Sequence, residues 1–150
     1  LPKLSSLKIN SNIFKTSVLT LNRNVIFFGI VAAFLLLIMQ DYIIWILFGN
    51  RFVDLNQIYI YFAIIIMLRY LGSVYGLLLT ISGNQNIRAI AVSWTLIFVI
   101  LADYYIIPKY SIIGAAQVLL AAHIILNIIY LYFTYKEYGT IYLVKDKELK

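Results

Sequence analysis

The chain has 150 residues, of which 63% are hydrophobic and 12% are charged, and its formal net charge is +6. Soluble domains contain about 25% charged residues, so this composition excludes a water-soluble protein and indicates an integral membrane protein. There is no cysteine, which excludes disulfides, thiolate metal sites and cysteine nucleophiles. The excess of positive charge is typical of the cytoplasmic side of membrane proteins, so we expect no nucleic-acid partner.

The first part of the chain, residues 1–24, is too polar to cross a membrane. An apolar face begins within it, because Phe14, Val18, Leu21 and Val25 recur at helical spacing. This pattern predicts a short amphipathic helix that lies in the cytoplasmic membrane interface. A plain loop is the alternative.

Four apolar segments follow, and they predict an all-α membrane protein. Each segment approaches the roughly 20 residues needed to cross the hydrocarbon core, and backbone groups in lipid must be paired internally. The short connections make neighbouring helices antiparallel. We therefore predict a bundle of four transmembrane helices over residues 25–134. The predicted helices cover residues 25–48, 55–82, 87–107 and 112–134, with Pro108 ending the third.

The basic residues predict the orientation of this bundle. If the chain crosses the membrane four times, most of its Lys and Arg residues fall on the side of the termini. Both termini should therefore be cytoplasmic. Residues 135–150 then form a cytoplasmic tail, and the tyrosines before it fit an aromatic belt at the lipid headgroups.

One arginine lies near the midplane of the second predicted helix. Arg69 shares an arc with Gly72, Ser73 and Gly76, and such small residues either let helices pack closely or leave room for a cavity. Arg69 has three interpretations. Its side chain snorkels to the interface, it pairs with Asp41 on the neighbouring helix, or it faces a water-filled cavity. In the last case its guanidinium suits phosphate, because it donates two parallel hydrogen bonds.

Four other polar residues lie within the predicted helices, where polar groups are costly. His123 and Asn127 share one face, and His123 is nearly level with Arg69. We take both as weaker candidates for substrate binding, with hydrogen-bonded packing as the alternative. Asp41 and Asp103 lie closer to the outer boundary and are candidates for coupling to a cation gradient. No catalytic constellation or phosphate-binding loop is visible, so we expect no enzyme activity, no metal and no cofactor.

The stretch LADYYIIPKYSIIGAA, residues 101–116, resembles a signature of bacterial polysaccharide flippases. These are the O-antigen and capsule exporters of the MATE-like superfamily. Asp103 and Ser111 stand where that signature usually has Asn and Gly. ILFGNRF, residues 46–52, and LPKLSSL, residues 1–7, resemble two other segments of the family. The residues that match the signature are Ile107, Pro108, Tyr110, Gly114, Ala115 and Ala116.

The resemblance implies a protein of about twelve helices in two lobes around a central cavity. This sequence looks like the last four helices, and because it starts at Leu1 rather than Met we expect a partial chain. The family moves undecaprenyl-diphosphate-linked oligosaccharide across the bacterial inner membrane by alternating access, for surface polysaccharide synthesis. Basic residues in its cavity meet the diphosphate, and Arg69 is our candidate for that role.

The partners implied are the lipid-linked oligosaccharide, the lipid bilayer, the remaining helices of the transporter, and the polysaccharide polymerase and glycosyltransferases. Two other functions stay open. One is a drug or metabolite exporter of the same superfamily. The other is a complete small protein of four spans that scaffolds envelope glycosyltransferases.

Overall fold

The structure, a computed structural model, describes residues 12–48 and 56–138. Over these ranges the chain is helical apart from one short turn and contains no strand. All three helices are long and apolar enough to cross a membrane, in agreement with the predicted all-α membrane class. The helices are α1 (Asn12–Phe48), α2 (Asn56–Ile81) and α3 (Gln85–Tyr138).

α1 differs from the prediction at its start. It runs without interruption from Asn12 to Phe48, so residues 12–24 continue the apolar helix and do not form a separate short one. Val18 is fully buried and clusters with Val74 and Tyr138. The start of α1 therefore packs against the other two helices. Residues 1–11, the connection at 49–55 and the tail from 139 lie outside the described residues.

α3 joins the predicted third and fourth helices in one element of 54 residues. A straight helix of that length would measure about 80 Å, well over twice the roughly 30 Å of hydrocarbon in a bilayer. Ala91 and Tyr130 would lie about 58 Å apart in such a helix, yet both belong to one buried cluster with Leu79. α3 therefore folds back on itself, and its first arm (85–110) and second arm (112–138) lie side by side.

The reversal occurs at Ser111, within the predicted connection over residues 108–111, but the first arm continues past Pro108, where the sequence predicted its end. The backbone of Ser111 has φ 53° and ψ −141°, whereas Pro108 lies within the helix. Proline removes one hydrogen bond from a helix but does not reverse the chain. The turn is also tight, because a Cβ on Gly114 would lie 2.7 Å from Ile106 Cγ2 and 2.8 Å from Tyr110 Cβ.

α2 is the central helix, and α1 runs antiparallel to it. Ile44 near the end of α1 clusters with Ile58 near the start of α2. Further along, a Cβ on Gly29 would lie 3.0 Å from Tyr70 Cβ, so the two backbones approach closely there. Burial agrees with this central position. In the most apolar 18-residue stretch of each helix, 39% of α2 is buried, against 11% of α1.

A single turn connects α2 to the first arm of α3. Gly83 has φ +79°, a left-handed conformation that glycine adopts without steric cost. Thr80 Oγ1 donates to Gly76 O at 2.9 Å and accepts from Arg88 Nη1 at 3.2 Å. These bonds link the last turn of α2 to the first turn of α3.

We expect the substitution Ser111→Gly to raise the free energy of unfolding by about 1 kcal/mol. A residue with a side chain in this backbone region costs about 1–3 kcal/mol, and the greater freedom of glycine in the unfolded chain offsets part of the gain. An SDS titration of the purified chain in micelles measures the difference. Ser93→Gly is the matched control, because Ser93 is exposed within the first arm and the substitution there should lower the free energy of unfolding by about 0.5 kcal/mol. Equal losses in both variants would contradict the prediction.

Candidate functional site

A polar seam runs between α2 and the second arm of α3. It consists of Tyr61 and Gly72 on α2, and Gln117, His123 and Asn127 on α3. Gln117 Nε2 donates a hydrogen bond to Tyr61 Oη at 3.2 Å, and Asn127 lies against Gly72 further along. From the first of these contacts to the second, the residue numbers increase on both helices, so α2 and the second arm run parallel.

Asn127 occupies the middle of the polar seam. Its Nδ2 donates to the carbonyl of His123 at 2.8 Å, while its Oδ1 is buried and has no hydrogen-bond partner among the described residues. A Cβ on Gly72 would lie 3.0 Å from that Oδ1. The absence of a side chain on Gly72 is therefore what allows the amide to lie there.

The two glycines of α2 serve close packing. Gly76 repeats the arrangement of Gly72 one turn later, because its Cβ position lies 3.2 Å from the ring of Tyr130. Both glycines are buried. Of the two interpretations of this small face, close helix packing is the one that the structure realises at Gly72 and Gly76.

His123 is half-buried and held by its own helix. Its Nδ1 lies 2.8 Å from the carbonyl of Leu119. Since a carbonyl oxygen only accepts, Nδ1 is the donor in this hydrogen bond. This bond fixes the orientation of the imidazole in the polar seam.

Arg69 is exposed and lies at the edge of the packed face of α2. The contact of Gly72 with Asn127 and the parallel course of the helices put Arg69 at the level of Ile124, next to His123. Around the axis of α2, Arg69 lies between the buried Gly76 and the exposed Ser73. The side chain therefore emerges where the helix contact ends.

The proposed pairing of Arg69 with Asp41 is not formed. Neither side chain takes part in an ion pair with any described residue. The contacts of Gly29 with Tyr70 and of Ile44 with Ile58 put Asp41 about 13 Å along the axis of α2 from Arg69. This distance is too long for a direct contact, and Asp41 is exposed on α1.

The two intramembrane acids lie away from Arg69. Asp103, on the first arm of α3, is half-buried, and its Oδ1 is buried without a partner among the described residues. The antiparallel arms put Asp103 near the level of Gln117, so it lies closer to the Ser111 reversal than His123 does. Thus Arg69, His123 and Asn127 come to one depth, whereas Asp41 and Asp103 do not join them. No cluster of three metal-ligating His, Asp or Glu side chains forms within the described ranges.

Sequence reasoning missed the hydrogen bond between Tyr61 and Gln117. The two residues are 56 positions apart, and no local pattern links them, because their contact depends on the register between α2 and the second arm. The buried Oγ1 of Thr134, which also has no partner among the described residues, was missed for the same reason.

Comparisons of this chain with family models, with curated proteins and with solved structures found no match.

The contact of Gly72 with Asn127 predicts that the effect of Gly72→Ala on the free energy of unfolding changes sign when Asn127 is also replaced. Gly72→Ala alone should lower the free energy of unfolding by about 1 kcal/mol, because the new methyl meets a hydrogen-bonded amide in a tightly packed interface. In an Asn127→Ala background the same change should raise it by about 1 kcal/mol, because alanine is the better helix former. SDS titrations of the four proteins measure both effects. Ser73→Ala is the control on the exposed side, and an effect of Gly72→Ala that is equal in the two backgrounds would contradict the contact.

Proposed function

We propose that this chain is the C-terminal portion of a transporter that moves undecaprenyl-diphosphate-linked oligosaccharide across the bacterial inner membrane for surface polysaccharide synthesis. The resemblance of residues 101–116 to polysaccharide flippases suggests the class of substrate. The observation that carries the proposal is Arg69, an exposed arginine with no ion-pair partner among the described residues, within an apolar helix.

The energetics of Arg69 support an anionic partner. An arginine at the centre of a transmembrane helix costs about 2.5–3.5 kcal/mol on insertion scales, and a neighbouring carboxylate would reduce that cost. Asp41 does not contact it, so the charge is left for a ligand or for water. A diphosphate offers adjacent oxygens that a guanidinium binds through two parallel hydrogen bonds. In our proposal Arg69 neutralises part of the diphosphate charge while the headgroup passes through the membrane.

His123 and Asn127 have weaker roles in this proposal. Both lie at the depth of Arg69, but their side chains are bonded within the second arm of α3. We assign the bond to a sugar hydroxyl to His123 Nε2, because Asn127 Oδ1, although it has no partner among the described residues, is buried against Gly72. Coupling of Asp41 and Asp103 to a cation gradient stays a prediction, and the partially buried Asp103, with its unpartnered Oδ1, is the better candidate.

We further propose that the two arms of α3 each cross the membrane, which gives the chain four crossings and cytoplasmic termini. The chain lacks cysteine, so single cysteines at the exposed positions Asn86, Lys109 and Glu137 report the topology directly. In spheroplasts an impermeant maleimide should label Lys109→Cys, but should label Asn86→Cys and Glu137→Cys only after permeabilisation. Labelling of Asn86→Cys and Lys109→Cys from the same side would contradict a crossing by the first arm.

The transport role of Arg69 predicts a loss of surface polysaccharide. In the complete protein, Arg69→Ala should reduce surface glycan at least about ten-fold, because a hydrogen bond to a charged group contributes about 1.5–3 kcal/mol. Arg69→Lys should give an intermediate value, because it keeps the charge and loses the planar fork. Glycan is measured at matched protein levels, and Lys109→Ala, at an exposed position near the end of the first arm, is the control for charge alone.

Two outcomes of this experiment count against the proposal. Normal glycan in both Arg69 variants at normal protein levels would remove Arg69 from transport. Normal glycan combined with a lost tolerance to a toxic compound would instead favour a drug or metabolite exporter of the same superfamily.

A further inference from the structure

A cavity of about 460 Å³ opens between all three helices, close to the start of α1 and the end of α3. α1 contributes Leu19 and Asn22, α2 contributes Tyr75, and the second arm of α3 contributes residues between Ile128 and Tyr135. Thr134 lies about 15 Å along the second arm from the level of Arg69. Neither Arg69 nor any residue of the polar seam lines this cavity.

Two of the residues that line the cavity, Asn22 and Thr134, each carry a buried polar atom without a partner among the described residues. Thr134 is 1% exposed, and its Oγ1 has no hydrogen bond within the part of the chain that the structure describes. The same holds for the buried Oδ1 of Asn22 on the opposite helix. Buried polar groups are almost always hydrogen-bonded, so an unpaired amide oxygen and an unpaired hydroxyl on residues that line one cavity indicate a ligand that completes them.

The other residues that line the cavity indicate that the rest of the ligand is apolar. Leu19, Ile128 and Leu131 are apolar and exposed, and they offer a surface for an acyl chain. Tyrosines at this end of the helices are typical of the headgroup level of a membrane. The volume falls in the usual range of ligand sites, about 300–1,000 Å³.

The unpaired atoms and nearby charges select the headgroup. Asn22 Oδ1 only accepts hydrogen bonds, so the ligand must donate one. Exposed Arg23 and Lys136 follow Asn22 and Tyr135 in sequence, and they favour an anionic lipid over a zwitterionic one. We propose that the cavity binds one anionic phospholipid with a headgroup hydroxyl, phosphatidylglycerol, whose hydroxyl donates to Asn22 while Thr134 donates to an ester or phosphate oxygen.

Native mass spectrometry of the purified full chain in detergent tests this proposal with three added lipids. Phosphatidylglycerol is compared with phosphatidylmethanol, which has the same charge and no hydroxyl, and with phosphatidylcholine. We expect one phosphatidylglycerol to bind about five-fold more tightly than phosphatidylmethanol, the effect of about one hydrogen bond. Phosphatidylcholine should bind more weakly than either.

Two isosteric substitutions assign the bonds. Asn22→Leu should remove the difference in affinity between phosphatidylglycerol and phosphatidylmethanol. Thr134→Val should weaken the binding of both lipids by a similar factor of about five. Thr95→Val is the control, because that hydroxyl donates to Ala91 O at 2.8 Å within the first arm and does not line the cavity.

The stability of the Thr134→Val variant distinguishes a lipid-binding role of Thr134 from a purely structural one. In lipid-free detergent, Thr134→Val should leave the unfolding midpoint unchanged or raise it, since the hydroxyl has no partner there. Arg69→Ala should leave lipid binding unchanged, so this proposal and the transport proposal fail independently. Equal affinity of the unsubstituted chain for phosphatidylglycerol and phosphatidylmethanol would overturn the lipid site. So would undiminished phosphatidylglycerol binding to a chain that carries both Asn22→Leu and Thr134→Val.

Discussion

The close contact between α2 and the second arm of α3 is the constraint on which the rest of the structure depends. Gly72 and Gly76 present bare backbone to Asn127 and Tyr130. Helices in lipid gain little from hydrophobic burial, because the surrounding chains are equally apolar, so such close packing supplies much of their association. The contact fixes the register of the two helices, and the register brings Arg69 level with His123. The chain must also turn back at Ser111, so that the second arm can reach α2 in this register.

The same packing leads to the functional argument. A helix that packs its glycine face tightly has no space there for a long charged side chain, so Arg69 emerges beside the contact, while Asn127 is accommodated within it. A charge in that position is energetically costly unless a partner compensates it. Among the residues that the structure describes, such a partner comes neither from α1, where Asp41 lies too far along the axis, nor from α3, where Asp103 lies closer to the reversal. An anionic substrate is the compensation that our proposal supplies.

Sequence patterns predicted the helices better than the contacts between them. The predicted helix over 55–82 nearly coincides with α2 (Asn56–Ile81), and the predicted end at residue 48 coincides with that of α1, because long apolar runs define helices directly. The common level of Arg69 and His123 also followed from helix length alone. The reversal at Ser111 lies within the predicted connection over residues 108–111, but the continuation of the helix past Pro108 did not follow. Nor did the burial of Val18 or the bond from Gln117 to Tyr61, since both depend on how separate segments approach. Pro108 was the strongest local signal, but proline marks a weak point in a helix and not the direction of the chain beyond it.

The parallel course of α2 and the second arm has a consequence for the time course of synthesis. Antiparallel neighbours emerge from the ribosome one after the other, but the partner of Gly76 is Tyr130, and the entire first arm is made between them. At about 5–20 residues per second, the glycine face of α2 waits for several seconds before its partner exists. During that interval the half-made chain holds an uncovered packing surface within the membrane, so the machinery that inserts it must keep α2 from pairing with another helix.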